Sequence, residues 1–471
     1  MTAASLDRLA DALHRAMLLS LPWIGVGTVH LLLGVDIGAG VQPAYVLLGV
    51  GLALRAAAQW RRGRAAGALR PPRGAVAAAG LLMAAVLLSA FGVALERSLL
   101  ATPGQAWWRY AKQTVQLAVM LAFFLEIAAW TRGEQRWRST ARWLAAGIAL
   151  QVAYGAWQAW SFHHPHELFR IAERAVTSNP AILAGSTELH LGDRMVGLPR
   201  LRGMAAEPLY LGNYLLVALP VALVGLRGRD RAALAVSGLL LLAATWSRGA
   251  YLGLGAAVVT GAVLWLRVRP RGGGAGVGAG RARRSSAAVR WFGVGLGLVV
   301  VAVAMVVVVA GPEALSWPWA RLQQTFSPRD WSNLTRYFSM QAAWRGFLLS
   351  PLVGVGWGQY GYHFALLVDP LGLQSQFTWP VAGSIPLLVL CETGLAGLGA
   401  VVVVAVQTLR TLLRRARPRA GAVWLVAAAA AAAGCSFQLL TFSQYNLPHV
   451  WVAWGLLAAA LREEIAPEVA A

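Results

Sequence analysis

The chain has 471 residues, of which 58% are hydrophobic and 13% are charged. This composition excludes a soluble globular protein of such length and predicts an integral membrane protein, whose apolar surface faces lipid. The formal net charge is +22, but nucleic acid binding is not needed to explain it. The basic residues are concentrated in short loops between apolar segments, which is typical of a topology signal.

Apolar segments of about 17–22 residues recur along the chain, and a helix of that length can cross the ~30 Å hydrocarbon core of a bilayer. The predicted fold class is therefore all-α, with about twelve transmembrane helices. Only the sequence Trp246-Ser247-Arg248-Gly249 separates the seventh helix from the eighth. The predicted spans lie near residues 16–33, 41–57, 74–95, 114–130, 143–160, 209–226, 232–245, 250–266, 292–310, 385–405, 423–440 and 450–461.

Arginine is concentrated in one alternating set of loops. Because positively charged loops are retained in the cytoplasm, these loops and both termini are predicted to be cytoplasmic. No cleavable signal precedes the first apolar segment. The basic loops lie at residues 61–73, 132–142, 227–231, 267–290 and 410–419.

Two long loops lie in the opposite set, at about residues 162–208 and at residues 311–384. Long ordered loops in membrane proteins often carry function, and the aromatic residues in these loops argue against disorder. We therefore divide the chain into helices 1–9 (residues 1–310), a large outer loop (residues 311–384) and helices 10–12 (residues 385–471).

Arg248 is the strongest candidate site residue, because it is predicted at the outer mouth of two short spans. A charged group at this depth is costly, so it usually faces the bundle interior or a water-filled cavity. The alternative is an arginine that only anchors a helix end at the interface. Arginine is otherwise scarce on the predicted outer side, which favours the functional interpretation.

Arg336 lies in the large outer loop, in a predicted amphipathic helix that begins at Asn333, carries Arg345 and runs through Phe347. A glycine-rich turn follows and includes Gly356. Glycines in such a turn allow backbone to approach backbone or a ligand closely, and they can direct amide groups at an anion. The alternative is a turn with no binding role.

Four short motifs follow one another between residues 200 and 405. They are Arg200-Leu201-Arg202-Gly203 with Glu207-Pro208, Ser247-Arg248-Gly249, Arg336 with Pro351-Leu352-Val353-Gly354-Val355-Gly356, and Glu392-Thr393-Gly394-Leu395-Ala396-Gly397. In order and spacing these motifs resemble the O-antigen ligase and O-antigen polymerase family of bacterial envelopes. The first five predicted spans and the last two resemble that family only in hydropathy.

The resemblance implies a GT-C-like membrane glycosyltransferase that needs no metal or other cofactor. Its donor would be a glycan on undecaprenyl pyrophosphate, and its active site would lie on the periplasmic face of the bacterial inner membrane. The acceptor would be a glycan or a lipid-linked glycan, and other polysaccharide export proteins are expected as further partners.

By the same resemblance, Arg248 and Arg336 bind the leaving pyrophosphate while an acceptor hydroxyl attacks with inversion. Guanidinium groups suit this task because they are permanently charged and bind phosphate oxygens in pairs. Five further residues are assigned to substrate binding: Arg200, Arg202, Arg345, Glu392 and Gly356.

The ligase branch of the family carries a His-Asn pair before the tenth span, and its histidine is the expected general base. The corresponding positions here hold Gly383 and Ser384. This difference favours the polymerase type over a ligase that transfers glycan to lipid A core. Glu207 and His363 are the alternative bases, the histidine because its ordinary pKa lies near neutrality.

A transporter or flippase is the rival class, since about twelve spans also suit such proteins. Transporters usually contain inverted repeats with paired broken helices. The two halves of this sequence contain no such repeat, and the long aromatic outer loops favour an enzyme that holds a sugar chain.

Overall fold

The computed structural model describes residues 2–27, 42–62, 70–95, 102–177, 200–269, 331–369, 371 and 380–462. Within these ranges the regular elements are helices, in agreement with the predicted fold class. In chain order the helices are α1 (Ala3–Ser20), α2 (Pro43–Arg62), α3 (Arg73–Leu88), α4 (Ala90–Leu95), α5 (Pro103–Trp130), α6 (Gly133–His163), α7 (Glu167–Val176), α8 (Pro208–Gly225), α9 (Gly228–Ala244), α10 (Arg248–Val268), α11 (Trp331–Leu349), α12 (Tyr360–Leu367), α13 (Ile385–Arg415), α14 (Ala422–Gln438) and α15 (Pro448–Ala460).

Five helical stretches in the described ranges are long and apolar enough to cross a membrane: Arg73–Leu95 (α3 with α4), α5, α8, α10 and α13. α14 and α15 are apolar but shorter, at 17 and 13 residues. An all-helical membrane architecture is thus supported, while the total of twelve spans stays a prediction. The predicted span at 292–310 lies outside the described residues, and the one at 16–33 is described only to residue 27.

The predicted division between the seventh and eighth spans is confirmed. α9 ends at Ala244 and α10 begins at Arg248, so the two helices are separate and Arg248 occupies a helix start. Trp246, between them, has a φ of 50°. This left-handed conformation is uncommon for a residue other than glycine, and it turns the chain sharply.

α8 and α14 form the centre of the bundle, and α10 packs closely on α14. A Cβ at Gly253 of α10 would lie 2.7 Å from the carbonyl oxygen of Gly434, and one at Gly434 would lie 2.8 Å from the carbonyl oxygen of Gly253. Small residues at a crossing allow membrane helices to bring their backbones together. The contact sets the position of α10, and therefore of Arg248, against the C-terminal part of the chain.

The basic loops meet at the end of the bundle opposite Arg248. The carbonyl oxygen of Arg70 accepts hydrogen bonds from Arg132 and from Arg462, the latter at 2.9 Å. Trp424 Nε1 donates to Glu134 Oε2 at 2.7 Å. Segments that the charge pattern assigned to one side of the membrane therefore lie together in space.

α13 is broken at Gly394, which has φ 62° and ψ −158°. Only glycine adopts this conformation readily, because any Cβ would clash. A break of this kind deprives nearby N–H and C=O groups of their partners in the helix. In lipid such groups must be satisfied by other parts of the protein.

The glycine-rich turn after α11 supplies those partners. It lies against the break in α13, and each of the two segments donates to the other through the backbone. The bonds run from Val355 N to Cys391 O (2.9 Å), Gly356 N to Glu392 O (3.1 Å), Leu395 N to Pro351 O (2.8 Å) and Ala396 N to Leu352 O (3.1 Å). We call this contact between residues 351–358 and the broken part of α13 the interlock.

We expect Gly354→Ala to destabilise the protein by at least about 2 kcal/mol. Gly354 has φ 73°, and a Cβ there would lie 2.3 Å from the backbone carbon of Glu392. Gly399→Ala in α13 is the control, because nothing lies within 4 Å of its Cβ position. Thermal unfolding in detergent, followed by tryptophan fluorescence, compares the two variants. Equal unfolding midpoints would contradict the interlock.

Candidate functional site

Arg248 is the first residue of α10 and is 7% exposed. The preceding residue, Ser247, caps the helix and accepts a hydrogen bond from Ala250 N at 3.3 Å. A helix start carries partial positive charge, so a cation there is unfavourably placed unless an anion is nearby. Arg248 and the end of its helix together form an environment suited to an anion such as a phosphate.

Arg200, in the segment before α8, contacts the turn between α9 and α10 that leads into Arg248. Its Nε donates to the carbonyl oxygen of Thr245 at 3.3 Å, and the next residue, Leu201, donates through its backbone to Ala244 O at 2.9 Å. The Trp246 conformation belongs to the same turn, and strained residues of this kind are often found at functional sites. The structure therefore brings a second predicted site arginine to the start of α10.

Arg336 lies in α11, which spans Trp331–Leu349, so the predicted helix from Asn333 through Phe347 is confirmed. Its side chain is partly buried. The backbone of Arg336 packs on Gly383, where a Cβ would lie 3.2 Å from the Arg336 carbonyl oxygen. Gly383, at the position predicted to correspond to the ligase histidine, thus packs against the turn of α11 that carries Arg336.

Residues 439–447, which connect α14 to α15, lie between the two arginine segments; we call them the central loop. Ser443 Oγ donates to the carbonyl oxygen of Ala382, beside Gly383. Two residues earlier in the same loop, Thr441 Oγ1 would lie 3.1 Å from a Cβ at Gly249. The segments next to Arg248 and Arg336 therefore contact one loop, although 88 positions separate the two arginines in the sequence.

Sequence reasoning missed the central loop. The run Thr441-Phe442-Ser443-Gln444-Tyr445-Asn446 is polar and aromatic and lies between two strongly apolar helices. Such a composition at a membrane interface is a signal for a binding surface. It was overlooked because the loop is short and carries no charged residue.

Glu207 immediately precedes α8 and is joined to the central loop. Its carboxylate is hydrogen-bonded to the Tyr210 hydroxyl, which also lies within hydrogen-bonding reach of the Gln444 side chain. Burial raises the pKa of Glu207 above its ordinary value, against the opposing effects of the Arg200 charge and the Tyr210 hydrogen bond. A carboxyl with a raised pKa beside Arg200 is a candidate general base.

Glu392 is 3% exposed, and its carboxylate accepts two backbone hydrogen bonds from the glycine-rich turn. The donors are Gly358 N at 2.8 Å and Tyr360 N at 2.9 Å. The Gly356 amide, predicted to face an anion, donates to the Glu392 carbonyl oxygen. In this structure both residues serve the interlock, and their assignment to substrate binding stays a prediction.

Arg202 is fully buried and forms an ion pair with Glu173 of α7. The Arg202 guanidinium also donates to Ala205 O at 2.6 Å, and Tyr154 OH donates to Glu173 at 2.5 Å. These contacts tie the segment before α8 to α6 and α7. The Arg202 guanidinium, which the sequence pattern assigned to substrate binding, thus forms bonds within the protein.

His363 and Arg345 lie where α11 and α12 meet. His363 is buried, and its Nδ1 lies 3.2 Å from the carbonyl oxygen of Gln359, one turn earlier. Arg345 is exposed and donates to Leu367 O at 2.7 Å, at the end of α12. Glu207, the other alternative base, has a hydrogen-bonded connection to the central loop through Tyr210 and Gln444.

We expect Arg202→Met to destabilise the protein by about 3–5 kcal/mol, because it leaves the Glu173 carboxylate buried without its cation. The double variant with Glu173→Gln removes that buried charge and should recover at least about 1 kcal/mol of the loss. Denaturant unfolding of the wild type, both single variants and the double variant measures the coupling. Additive losses would contradict the ion pair's structural role.

Comparison with known protein-family models gives no match, and comparison with curated protein sequences gives none.

Proposed function

We propose that this chain is an inverting, metal-independent membrane glycosyltransferase that acts on a glycan linked to undecaprenyl pyrophosphate, and that it is of the polymerase type. One observation carries the proposal: Arg248, a buried arginine at a helix start, and Arg336 lie in segments that contact the same central loop. Pyrophosphate is the leaving group that such a pair of cations suits.

The arginines act on charge that develops during the reaction. As the bond between the anomeric carbon and the pyrophosphate oxygen breaks, its electron pair and a growing negative charge move to that oxygen. Two guanidinium groups and the N-terminal end of α10 stabilise this charge without a metal ion. Arg200, which contacts the turn before Arg248, adds a third cation.

The acceptor hydroxyl supplies the new bond to the anomeric carbon and must lose its proton. Glu207 takes this proton in the proposed mechanism, since its carboxylate is partly buried and connects through Tyr210 and Gln444 to the central loop. Attack from the face opposite the pyrophosphate inverts the configuration of the sugar.

Gly383 favours the polymerase type over the ligase type. The backbone of Arg336 lies so close to this residue that any side chain would press on α11, which would have to shift by a few tenths of an ångström. A histidine at this position would therefore change the packing of Arg336 against the start of α13. In a polymerase, the acceptor is a second lipid-linked glycan.

The broken helix α13 does not favour a transporter. In transporters, the freed groups of broken helices coordinate the substrate or ions. The groups freed at Gly394 are instead bonded to residues 351–356 of the same chain. The break thus stabilises the loop that follows α11.

We expect Arg248→Ala and Arg336→Ala each to lower glycan transfer at least about 100-fold, the usual loss when one stabilising donor is removed. The lysine variants should lose about 10-fold or more, because an ammonium cannot bind two phosphate oxygens side by side. The assay uses purified protein in nanodiscs with lipid-linked repeat units, and it measures product length and released undecaprenyl pyrophosphate.

Arg170→Ala is the matched control for both arginines. Arg170 is exposed on α7 and pairs with Glu167 at 3.3 Å, and we expect its activity to equal that of the wild type. Full activity of Arg248→Ala or of Arg336→Ala would refute the two-arginine mechanism.

We expect the pH dependence of transfer to report the raised pKa of Glu207. A general base must be ionised, so kcat falls as the pH drops through that pKa, at a higher pH than for an ordinary carboxyl group. In Glu207→Gln, transfer should be slower and this acid limb should vanish. Profiles of log kcat against pH test it, and an unchanged acid limb in Glu207→Gln would exclude this residue as the base.

A further inference from the structure

A second group of polar residues lies beside the central loop, on the side of α2 and α5. Four of them occupy or immediately precede these helices, although such positions in a membrane bundle are usually apolar. They are Gln42, Tyr45, Gln113 and Gln116, and with Tyr445 and Asn446 of the central loop they form what we call the amide–tyrosine cluster.

Hydrogen bonds connect the amide–tyrosine cluster. Tyr45 OH donates to the carbonyl oxygen of Asn446 at 2.8 Å, and the side chains of Gln42 and Gln116 lie within hydrogen-bonding reach of the same hydroxyl. Tyr445 OH donates to Gln113 Oε1 at 2.5 Å. The cluster is therefore an ordered arrangement of side chains that begins where the central loop ends.

The cluster keeps unused hydrogen-bonding capacity. Gln42 Oε1 is buried and accepts no hydrogen bond from the described residues. Gln113 uses its oxygen for Tyr445, so its two N–H groups remain for another acceptor. Gln113, Gln116 and Asn446 are partly exposed. Amides in the outer half of a membrane bundle are costly unless they line a water-filled or ligand-filled space.

Aromatic rings adjoin the amides. The ring centroids of Trp357 and Tyr445 lie 4.9 Å apart, and Trp451 Nε1 donates to the Tyr445 carbonyl oxygen at 2.7 Å. Sites that combine aromatic faces with a few placed amides suit ligands that have both apolar and hydroxyl surfaces. Sugars are such ligands, because their C–H faces stack on rings and their hydroxyls bond to amides.

We propose that the amide–tyrosine cluster binds the acceptor saccharide. This inference rests on the proposed function, since it assigns the second substrate of the same reaction. The donor pyrophosphate then lies near Thr441 and Ser443 of the central loop, which contact the Arg248 and Arg336 segments, and the acceptor sugar lies near Tyr445. A free oligosaccharide with the repeat-unit structure can bind there, because recognition uses the sugar and not the lipid.

The test uses the repeat-unit oligosaccharide after mild acid has removed its lipid and after a fluorescent label has been attached to its reducing end. This probe has no pyrophosphate, so it can act only as an acceptor. Its Kd and KM are measured with full-length protein in nanodiscs, together with the KM for the lipid-linked donor. The variants are Gln113→Ala, Gln116→Ala and Tyr445→Phe, with Gln407→Ala as the control, an exposed glutamine on α13.

Each of the three variants should raise the Kd and KM for the probe about 5–10-fold, roughly the effect of one lost hydrogen bond, and leave the donor KM within about twofold. Gln407→Ala should change neither value. An unchanged Kd in all three variants would overturn the proposal, as would an equal rise of both KM values with a lowered unfolding midpoint. Three variants at separate positions keep the test decisive if one of them fails to fold.

Failure of this inference and failure of the proposed function give different results. Arg248→Ala should still bind the probe, because the arginine contacts the donor. If the wild type transfers no glycan but binds the probe, and this binding is lost in the Gln113 and Gln116 variants, the saccharide site is retained and the transferase is refuted. Transfer that depends on both arginines, with normal probe binding in the cluster variants, would refute this inference alone.

Discussion

Backbone N–H and C=O groups within a bilayer must form their hydrogen bonds inside the protein. The break in α13 at Gly394 makes this difficult, and the candidate site is arranged around that break. At the break, residues 351–356 form hydrogen bonds with four backbone groups of the helix. Glu392 adds two more bonds through its carboxylate. This contact holds the segment after α11 against α13. Because Gly383, at the start of α13, also packs on Arg336, the position of that arginine depends on the interlock.

The second organising feature is the uneven use of arginine. At the basic end of the bundle, Arg132 and Arg462 bond to a backbone carbonyl oxygen and face many like charges. At the other end, Arg248 is buried at a helix start, where its own helix adds positive charge. Arginine therefore bonds to the backbone at the basic end, whereas at the other end it is buried at a helix start.

The sequence predicted those features that depend on local pattern. Helix periodicity placed α10 and α11, the alternation of charged loops separated the two ends, and the spacing of glycines indicated a tight backbone contact near Gly356. It did not predict which groups these glycines would meet, because Cys391 and Glu392 lie in another helix. Arg202 was assigned to substrate because sequence alone does not show that Glu173, 29 positions earlier, lies beside it. The central loop is short and carries no charged residue, and its neighbours, among them Tyr45, Gln113 and Gly249, lie far from it in the sequence.

The crossing of α10 and α14 at Gly253 and Gly434 has a consequence for biosynthesis. The two glycines are 181 positions apart, so at a synthesis rate of about 5–20 residues per second, α14 is synthesised roughly 10–35 s after α10. During that interval α10 lacks the neighbour that sets its depth, and Arg248 resides in a helix that has not reached its final partners. The site is thus completed last, by the C-terminal helices. A chain that stopped before Gly434 would insert most of its apolar segments in the membrane and still lack both the support for Arg248 and the loop beside it.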